Sequence, residues 1–129
     1  MEISLRSFND PKGSLVPIES KVDCLIDIKR IFYVHGVPAG EVRGKHSHHK
    51  TVQVLICTSG KCEVICDDGK EKKKFDLDSP NKALYVPEGI WAEEKYLEEG
   101  TVLMVLCNTK YDLNDYIFDY DKFLKNRNK

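Results

Sequence analysis

The chain has 129 residues, of which 41% are hydrophobic and 32% are charged, and its formal net charge is −1. This near-neutral charge excludes the broad electrostatic attraction that draws a protein to nucleic acid or to an anionic membrane. No stretch approaches the ~20 apolar residues of a membrane span, and the amino terminus MEISLRSFNDPKG has no apolar run of the signal-peptide type. We therefore expect one domain over residues 1–129, located in the cytoplasm, with neither nucleic acid nor membrane as a partner.

Seven short runs of apolar, β-branched and aromatic residues follow one another, separated by clusters of Gly, Pro, Asp and Asn. They cover residues 14–19, 24–34, 51–58, 61–67, 72–78, 82–87 and 101–108. Short strands at this near-regular spacing predict an antiparallel sandwich or barrel. Asp68 and Gly69 predict a hairpin turn, because glycine tolerates the positive φ that tight turns need.

The carboxyl-terminal segment DLNDYIFDYDKFLK has a helical pattern instead. Its apolar stripe consists of Tyr116, Ile117, Tyr120, Phe123 and Leu124. Asp112 or Asn114 is the predicted cap at its start. We expect one helix that packs on the barrel or on a neighbouring subunit, followed by a frayed tail over residues 125–129.

The five cysteines are predicted to be free thiols, since an odd number in a non-secreted chain argues against a disulfide framework. They are Cys24, Cys57, Cys62, Cys66 and Cys107. A disulfide between Cys57 and Cys62, across the turn at Ser59 and Gly60, is the less favoured alternative.

Three of the four histidines fall within four positions, in the segment RGKHSHHK. Side chains alternate between the two faces of a strand, so His46 and His48 point one way and His49 points the other way. Arg43 and Gly44 come just before the pair, and a buried cation beside two imidazoles is costly unless a ligand satisfies it. A functional site is therefore favoured over an incidental surface strand.

The same stretch resembles the first sequence signature of the cupin superfamily. The matching positions are Gly40, His46, His48, Gln53 and Gly60. The segment VPEGIWA resembles the second signature, with Pro87 and Gly89 in place. In metal-binding cupins Glu is expected at Gln53 and His at Ala92. A neutral amide and a methyl group are poor replacements for these ligands, so we predict that no metal is bound.

A closer resemblance covers nearly the whole chain. Residues 12–19, 28–34, 43–69, 77–91 and 102–124 resemble the cupin-type 3,4-ketoisomerases of dTDP-sugar biosynthesis. The RGKHSHHK core and the DYIFDYDKF tail carry the most specific part of this similarity. It implies an all-β, cupin-type antiparallel jelly-roll barrel with one carboxyl-terminal α-helix, a homodimer, and an isomerase without cofactor. The implied substrate is a dTDP-linked 4-keto-6-deoxyhexose, whose 3-keto product goes to an aminotransferase.

The resemblance also implies roles for individual residues. His46 matches the catalytic base and His48 its partner in the same pocket, while Arg43 matches an arginine that binds a diphosphate or keto oxygen. Further substrate contacts are predicted at Lys12, Tyr33, Gln53 and Trp91, although barrel-wall packing is the ordinary interpretation of Trp91.

Three positions depart from the family pattern. Phe32 stands where the first tyrosine of a Tyr-Tyr pair is common, Lys12 where arginine is frequent, and Ala92 where His or another large polar residue is usual. Each change removes a hydrogen-bond donor or its forked geometry. Because Ala92 would line the pocket beside the sugar, the stereochemistry at C4 stays open.

Moving a carbonyl from C4 to C3 requires a proton to leave C3 and one to reach C4, through an enediol or enediolate. A histidine with an ordinary pKa near ~6.5 can accept and return this proton without a metal or a redox cofactor. Two alternatives remain. One is a cupin that binds a nucleotide sugar or a partner without turning it over, and the other, less favoured, is a metal-dependent cupin dioxygenase.

Overall fold

Short β-strands make up most of the structure, a computed structural model that describes residues 1–128. In chain order the strands are β1 Glu2–Ser4, β2 Phe8–Asp10, β3 Gly13–Leu15, β4 Arg30–Val34, β5 Val42–His48, β6 Gln53–Ser59, β7 Cys62–Asp67, β8 Lys72–Leu77, β9 Lys82–Val86, β10 Trp91–Tyr96, β11 Val102–Cys107 and β12 Tyr116–Ile117. A 3-10 turn spans Leu113–Asp115, and the helix α1 spans Tyr120–Arg127.

Two five-stranded antiparallel sheets face each other and enclose the main core. The first has the order β1-β9-β6-β11-β4, the second has the order β12-β5-β10-β7-β8, and β2 and β3 form a separate hairpin. Alternation along β10 directs Ala92, Glu94 and Tyr96 inward, because successive side chains of a strand point to opposite faces. The predicted antiparallel β-structure with one carboxyl-terminal helix is confirmed.

The predicted strand pattern is wrong for most of the chain before β4. The runs at 14–19 and 24–34 form strand only at Gly13–Leu15 and Arg30–Val34. The apolar residues between them instead cover the outer face of the first sheet, where Cys24 and Ile26 pack with Val54 and Ile56. These runs are apolar because they cover a sheet face, and apolar character alone does not distinguish a cover from a strand.

Strand β10 was not predicted, because its sequence is charged rather than apolar. Its sequence WAEEKY contains three charged residues and lies between β5 and β7, so both of its edges are hydrogen-bonded. The predicted turn at Asp68 and Gly69 is confirmed, with the Asp68 carboxylate accepting hydrogen bonds from the Lys70 and Glu71 amides.

The predicted terminal helix exists but begins four residues later than its apolar stripe. Tyr116 and Ile117 pair with β5 as strand β12, and the helix is capped by Asp119, while Asp112 caps the 3-10 turn. The helix packs on the outer face of the second sheet, where Phe123 contacts Trp91. It continues through Arg127, so the predicted fraying does not begin at residue 125, and residue 129 lies outside the described residues.

The cysteines are free thiols, as predicted. Cys57, Cys62 and Cys107 are buried between the sheets and act as small apolar side chains. None of the helices within residues 1–128 is both long and apolar enough to cross a bilayer.

Candidate active site

Two histidines lie side by side at the end of β5. The His46 and His48 ring centroids are 5.0 Å apart in an edge-to-face arrangement, whereas His49 is exposed and lies beyond the end of β5. Strand alternation therefore has the predicted effect and brings the two imidazoles to one face. His48 is buried and His46 is half-buried, so the pair lies at the mouth of the barrel.

Strand β12 brings an aromatic residue against both imidazoles. Tyr116 pairs with His48 across the β12–β5 ladder, and its ring centroid lies 4.4 Å from His48 and 5.2 Å from His46. Phe118 stacks on Tyr116 at 5.4 Å and is 6.0 Å from His46. The sequence placed Tyr116 on a helical stripe, so its role beside the histidines was missed.

Arg30 joins the site from the first sheet. Its Nη1 donates a hydrogen bond to the Tyr116 hydroxyl at 3.3 Å. Its guanidinium carbon lies 4.7 Å from the Phe32 ring centroid and 4.9 Å from that of Tyr111, within cation–π range. Arg30 and Phe32 are two residues apart on β4, so their side chains share a face of the strand. The sequence analysis singled out Phe32, and this spacing could have identified Arg30 as well.

Asp115 fastens β12 to the loop that follows β5. Its buried carboxylate accepts hydrogen bonds from the backbone amides of Lys50 at 2.8 Å and Thr51 at 3.1 Å, and from the Thr51 hydroxyl. Burial alone would raise the pKa of the Asp115 carboxyl, but these hydrogen bonds outweigh it and lower the pKa. Since Asp115 directly precedes Tyr116, this anchor fixes the aromatic ring on the histidine pair.

Both imidazoles are less basic than a free histidine. Burial, together with the neighbouring His46, lowers the pKa of His48 to about 4. Burial also lowers the pKa of His46, although an interaction with the Gly44 backbone opposes the shift. Both rings are therefore uncharged near pH 7, and each keeps one nitrogen free to accept a proton.

A cavity of about 80 Å³ lies inside the barrel next to His46. Its polar lining consists of Arg43, Gln53, Glu94 and Tyr96 together with His46. Gln53 contacts the Cys107 sulfur through Nε2 at 3.7 Å, and Arg43 is exposed at the rim. The structure thus brings together four of the predicted site residues, His46, His48, Arg43 and Gln53.

The structure does not bring the other three predicted residues to this place within one chain. Tyr33 is 66% exposed on the outer face of β4, because it alternates with the inward-facing Phe32. Trp91 is buried beneath the terminal helix and donates to Glu93. Lys12 lies in the exposed turn of the β2–β3 hairpin, where its amide bonds to Asp10.

The donor set does not suit a metal ion. Among residues 1–128, no three His, Cys, Asp or Glu side chains are grouped as metal ligands. Ala92 pairs directly opposite His46, at the position where the cupin pattern expects a third imidazole, and it contributes no donor atom. Two imidazoles and an amide hold a dication weakly compared with a full ligand set.

Comparison with known proteins matches this architecture to a family. The family model described as "FdtA: WxcM-like, C-terminal" matches residues 2–128. The chain belongs to the FdtA family. A curated relative from Aneurinibacillus thermoaerophilus, TDP-4-oxo-6-deoxy-alpha-D-glucose-3,4-oxoisomerase, is 42% identical over 123 residues, which is 95% of this chain and 88% of the relative.

Solved structures of this FdtA-family fold agree closely. The sugar 3,4-ketoisomerase QdtA from Thermoanaerobacterium thermosaccharolyticum, in complex with TDP, has a TM-score of 0.96 and 38% identity over 99% of this chain and 93% of that one. A 3,4-ketoisomerase from Helicobacter canadensis has a TM-score of 0.97 and 35% identity, covering 100% and 97% of the two chains. The similarity to 3,4-ketoisomerases and the predicted enzyme class are confirmed, and the relatives favour neither alternative function.

Proposed function

We propose that this FdtA-family protein moves the keto group of a TDP-linked 4-keto-6-deoxyhexose from C4 to C3, using imidazole as the acid and base. The observation that carries the proposal is the pair of uncharged histidines, 5.0 Å apart, on one face at the mouth of the barrel. The substrate class rests on the relatives, since a QdtA variant was solved in complex with TDP-4-keto-6-deoxyglucose.

His46 is the proposed base. It takes the proton from C3, and the C3–H electron pair becomes the C3–C4 double bond of an enediolate while the former carbonyl oxygen gathers negative charge. The proton on O3 is then transferred to O4, C4 takes up the proton that left C3, and the electron pair on O3 forms the C3 carbonyl of the 3-ketone. A neutral imidazole with a lowered pKa returns the proton readily, so one residue can serve both transfers.

The surrounding donors support the charged intermediate. The Tyr116 hydroxyl and the Arg30 guanidinium are hydrogen-bonded to each other beside the histidine pair. Hydrogen-bond donors aimed at a developing oxyanion lower the barrier most when they are fixed in advance. His48 is fixed between His46 and Tyr116, and it orients His46 or protonates C4.

Substrate positioning falls to residues around this centre. Arg43 at the rim can bind a diphosphate or keto oxygen with its forked donors, and Gln53 offers an amide within the barrel. Exposed rings of Tyr111 and Phe118 add flat apolar surface at the same mouth.

We further propose that the protein works as a homodimer. Four apolar side chains that are 58–66% exposed, Phe8, Leu15, Ile31 and Tyr33, lie on the β2–β3 hairpin and on the outer face of β4. A second copy that covers them would place Lys12 and Tyr33 near the site of the partner, which supports the predicted substrate contacts of these two residues. Trp91 then acts through packing, under the helix of its own chain.

Proton NMR of TDP-4-keto-6-deoxyglucose with the protein in deuterated buffer tests the reaction itself. Loss of the C3 proton signal together with new 3-keto resonances is expected. An unchanged spectrum, with the nucleotide sugar nevertheless bound by calorimetry, would establish a binding module instead. The configuration at C4 follows from the coupling constants of the product.

The role of His46 is tested by His46→Asn, which keeps a polar side chain but removes the base. General-base loss costs about 10²- to 10⁴-fold, so exchange of the C3 hydrogen should fall by at least ~100-fold. His49→Asn is the matched control, because this histidine is exposed and lies beyond the end of β5. Undiminished exchange in folded His46→Asn would refute the assignment.

A further inference from the structure

A carboxyl group lies inside the barrel and takes no part in the proposed proton transfer. Glu94 faces inward from the middle of β10 and is only 8% exposed. It pairs with Arg43 on β5 and with Val64 on β7, so neighbouring strands fix its backbone on both sides. Burying a carboxyl group in an otherwise apolar core is costly, which makes an incidental occurrence unfavourable.

Strand β5 is shaped to admit this side chain. Gly44 has φ +90°, and a Cβ atom at this position would overlap the Glu94 Oε2 atom and lie 3.0 Å from Cδ. The register between β5 and β10 also shifts beside it, between Ala92 and Glu93. The absence of a side chain at Gly44 and this bulge together make the room that the Glu94 carboxyl occupies.

The carboxyl shares its cavity with the proposed base. Glu94, His46 and Gln53 line the same space of about 80 Å³, and its walls also include Phe32 and Leu103. Glu94 Oε2 is buried and has no hydrogen-bond partner among residues 1–128. Its polar walls and its volume allow water molecules to lie between these groups.

The charge state of Glu94 follows from its surroundings. Burial raises the pKa of the Glu94 carboxyl to about 8, while the Arg43 charge opposes the shift and Glu93 adds to it. Glu94 is therefore an uncharged acid near pH 7, with one O–H donor and one carbonyl acceptor. The titratable or charged groups that face it are Arg43 and His46 on β5, Cys62 and Cys66 on β7, and Tyr96 on β10. Glu93 acts on it from the opposite face of β10.

We propose that Glu94 is a positioning residue for His46, which it holds in one tautomer through water in the shared cavity. This inference rests on the proposed isomerase function. One nitrogen of His46 must accept the C3 proton, so the other nitrogen must keep its hydrogen and face a partner. The Gly44 backbone interacts with the His46 ring directly, and the acid and Gln53 add to this partner set through water. Glu94 itself neither gains nor loses a proton in the reaction.

Three variants test the proposal. Glu94→Gln keeps a donor and an acceptor but cannot ionise, Glu94→Leu keeps a similar volume without polar atoms, and Glu63→Gln is the matched control. Glu63 lies on the adjacent strand β7 and points outward to Lys74. The readouts are isomerase activity and the nitrogen-15 shifts of the His46 ring, assigned by comparison with His46→Asn.

We expect Glu94→Leu to lose about 10- to 100-fold in activity and to show mixed His46 tautomers, since residues that orient a functional histidine typically have effects of that size. Glu94→Gln and Glu63→Gln should keep the wild-type shifts and activity near the wild-type level. In the wild type and in Glu63→Gln, which both keep Glu94, the His46 shifts should change between pH 7 and 9 as the acid becomes a carboxylate. In Glu94→Gln they should not change in this range.

Two results would overturn the proposal. One is a folded Glu94→Leu variant with unchanged activity and unchanged His46 shifts. The other is a Glu94→Gln variant that behaves like Glu94→Leu. The nitrogen shifts are measured on the free protein, so they judge the role of Glu94 even if the isomerase assay fails.

Discussion

The Glu94→Gln variant should become increasingly more stable than the wild type as the pH rises through neutrality. The pKa of the folded-state carboxyl is about 8, against an ordinary value of 4.5, because the side chain is buried. Between these two values the folded state keeps a proton that the unfolded state has released. The free energy of unfolding of the wild type therefore falls with rising pH by about 1.4 kcal/mol per pH unit from this group.

Glutamine carries no such proton, so the variant should gain on the wild type across this window. Starting from near equality around pH 4.5, the difference should reach about 3 kcal/mol at pH 7 and level off above pH 8. Water in the cavity that solvates the ionised carboxylate would reduce this difference in stability between the variant and the wild type. All other titrating groups are common to the two proteins and cancel in the difference.

Urea unfolding followed by circular dichroism, at half-unit steps from pH 5 to pH 8, measures this difference. Glu63→Gln on the outer face of β7 is again the control, and its difference from the wild type should not slope in this way. A difference for Glu94→Gln that stays constant with pH, or that slopes in the opposite direction, would refute a neutral buried acid at this position.

Three further predictions concern the histidine pair and its supports. In the Glu94→Gln background, His48 should contribute a fall of about 1.4 kcal/mol per unit in the free energy of unfolding as the pH drops from 6.5 to 4, because the unfolded state binds a proton that the buried imidazole does not. Adding His48→Asn should reduce the slope in urea titrations by that amount, and an unchanged slope would contradict the lowered pKa. Asp115→Ala leaves two backbone amides without an acceptor and should lower the free energy of unfolding by about 2–4 kcal/mol. Activity should also fall, because Tyr116 is no longer held against the histidine pair. An unchanged urea midpoint would contradict this role of Asp115. Gly44→Ala should lower the free energy of unfolding by about 1–3 kcal/mol, because of the positive φ at this position and the overlap of the new Cβ with Glu94. Combining it with Glu94→Ala should recover part of that loss. Strictly additive effects of the two substitutions would exclude the steric coupling.

Features that depend on neighbouring residues were predictable from the sequence. His46 and His48 share a face because the period of two is local to a strand, and no tertiary contact is needed to establish it. The turn at Asp68 and Gly69 follows from the same kind of local preference. The family similarity extends over residues 2–128, and the fold class could be inferred from it.

Features that depend on pairing between distant segments were not predictable in this way. Tyr116 has apolar neighbours at helical spacing, yet it lies in a strand because the edge of β5 offered backbone partners. Tyr33 was expected in the site, but the register of β4 against β11 turned it outward and turned Phe32 inward. A shift of one residue in that register would exchange their positions.

The sequence alone therefore determined the β-class of the chain, the pair of histidines on one face and the family, since these depend on local periodicity and motif spacing. Only the tertiary structure decided which distant side chains surround the pair. Arg30 and Tyr116 are 86 residues apart and meet through a hydrogen bond between the two sheets. Glu94 became a buried acid because strand pairing turned it toward the core, an environment that its neighbours in sequence do not reveal.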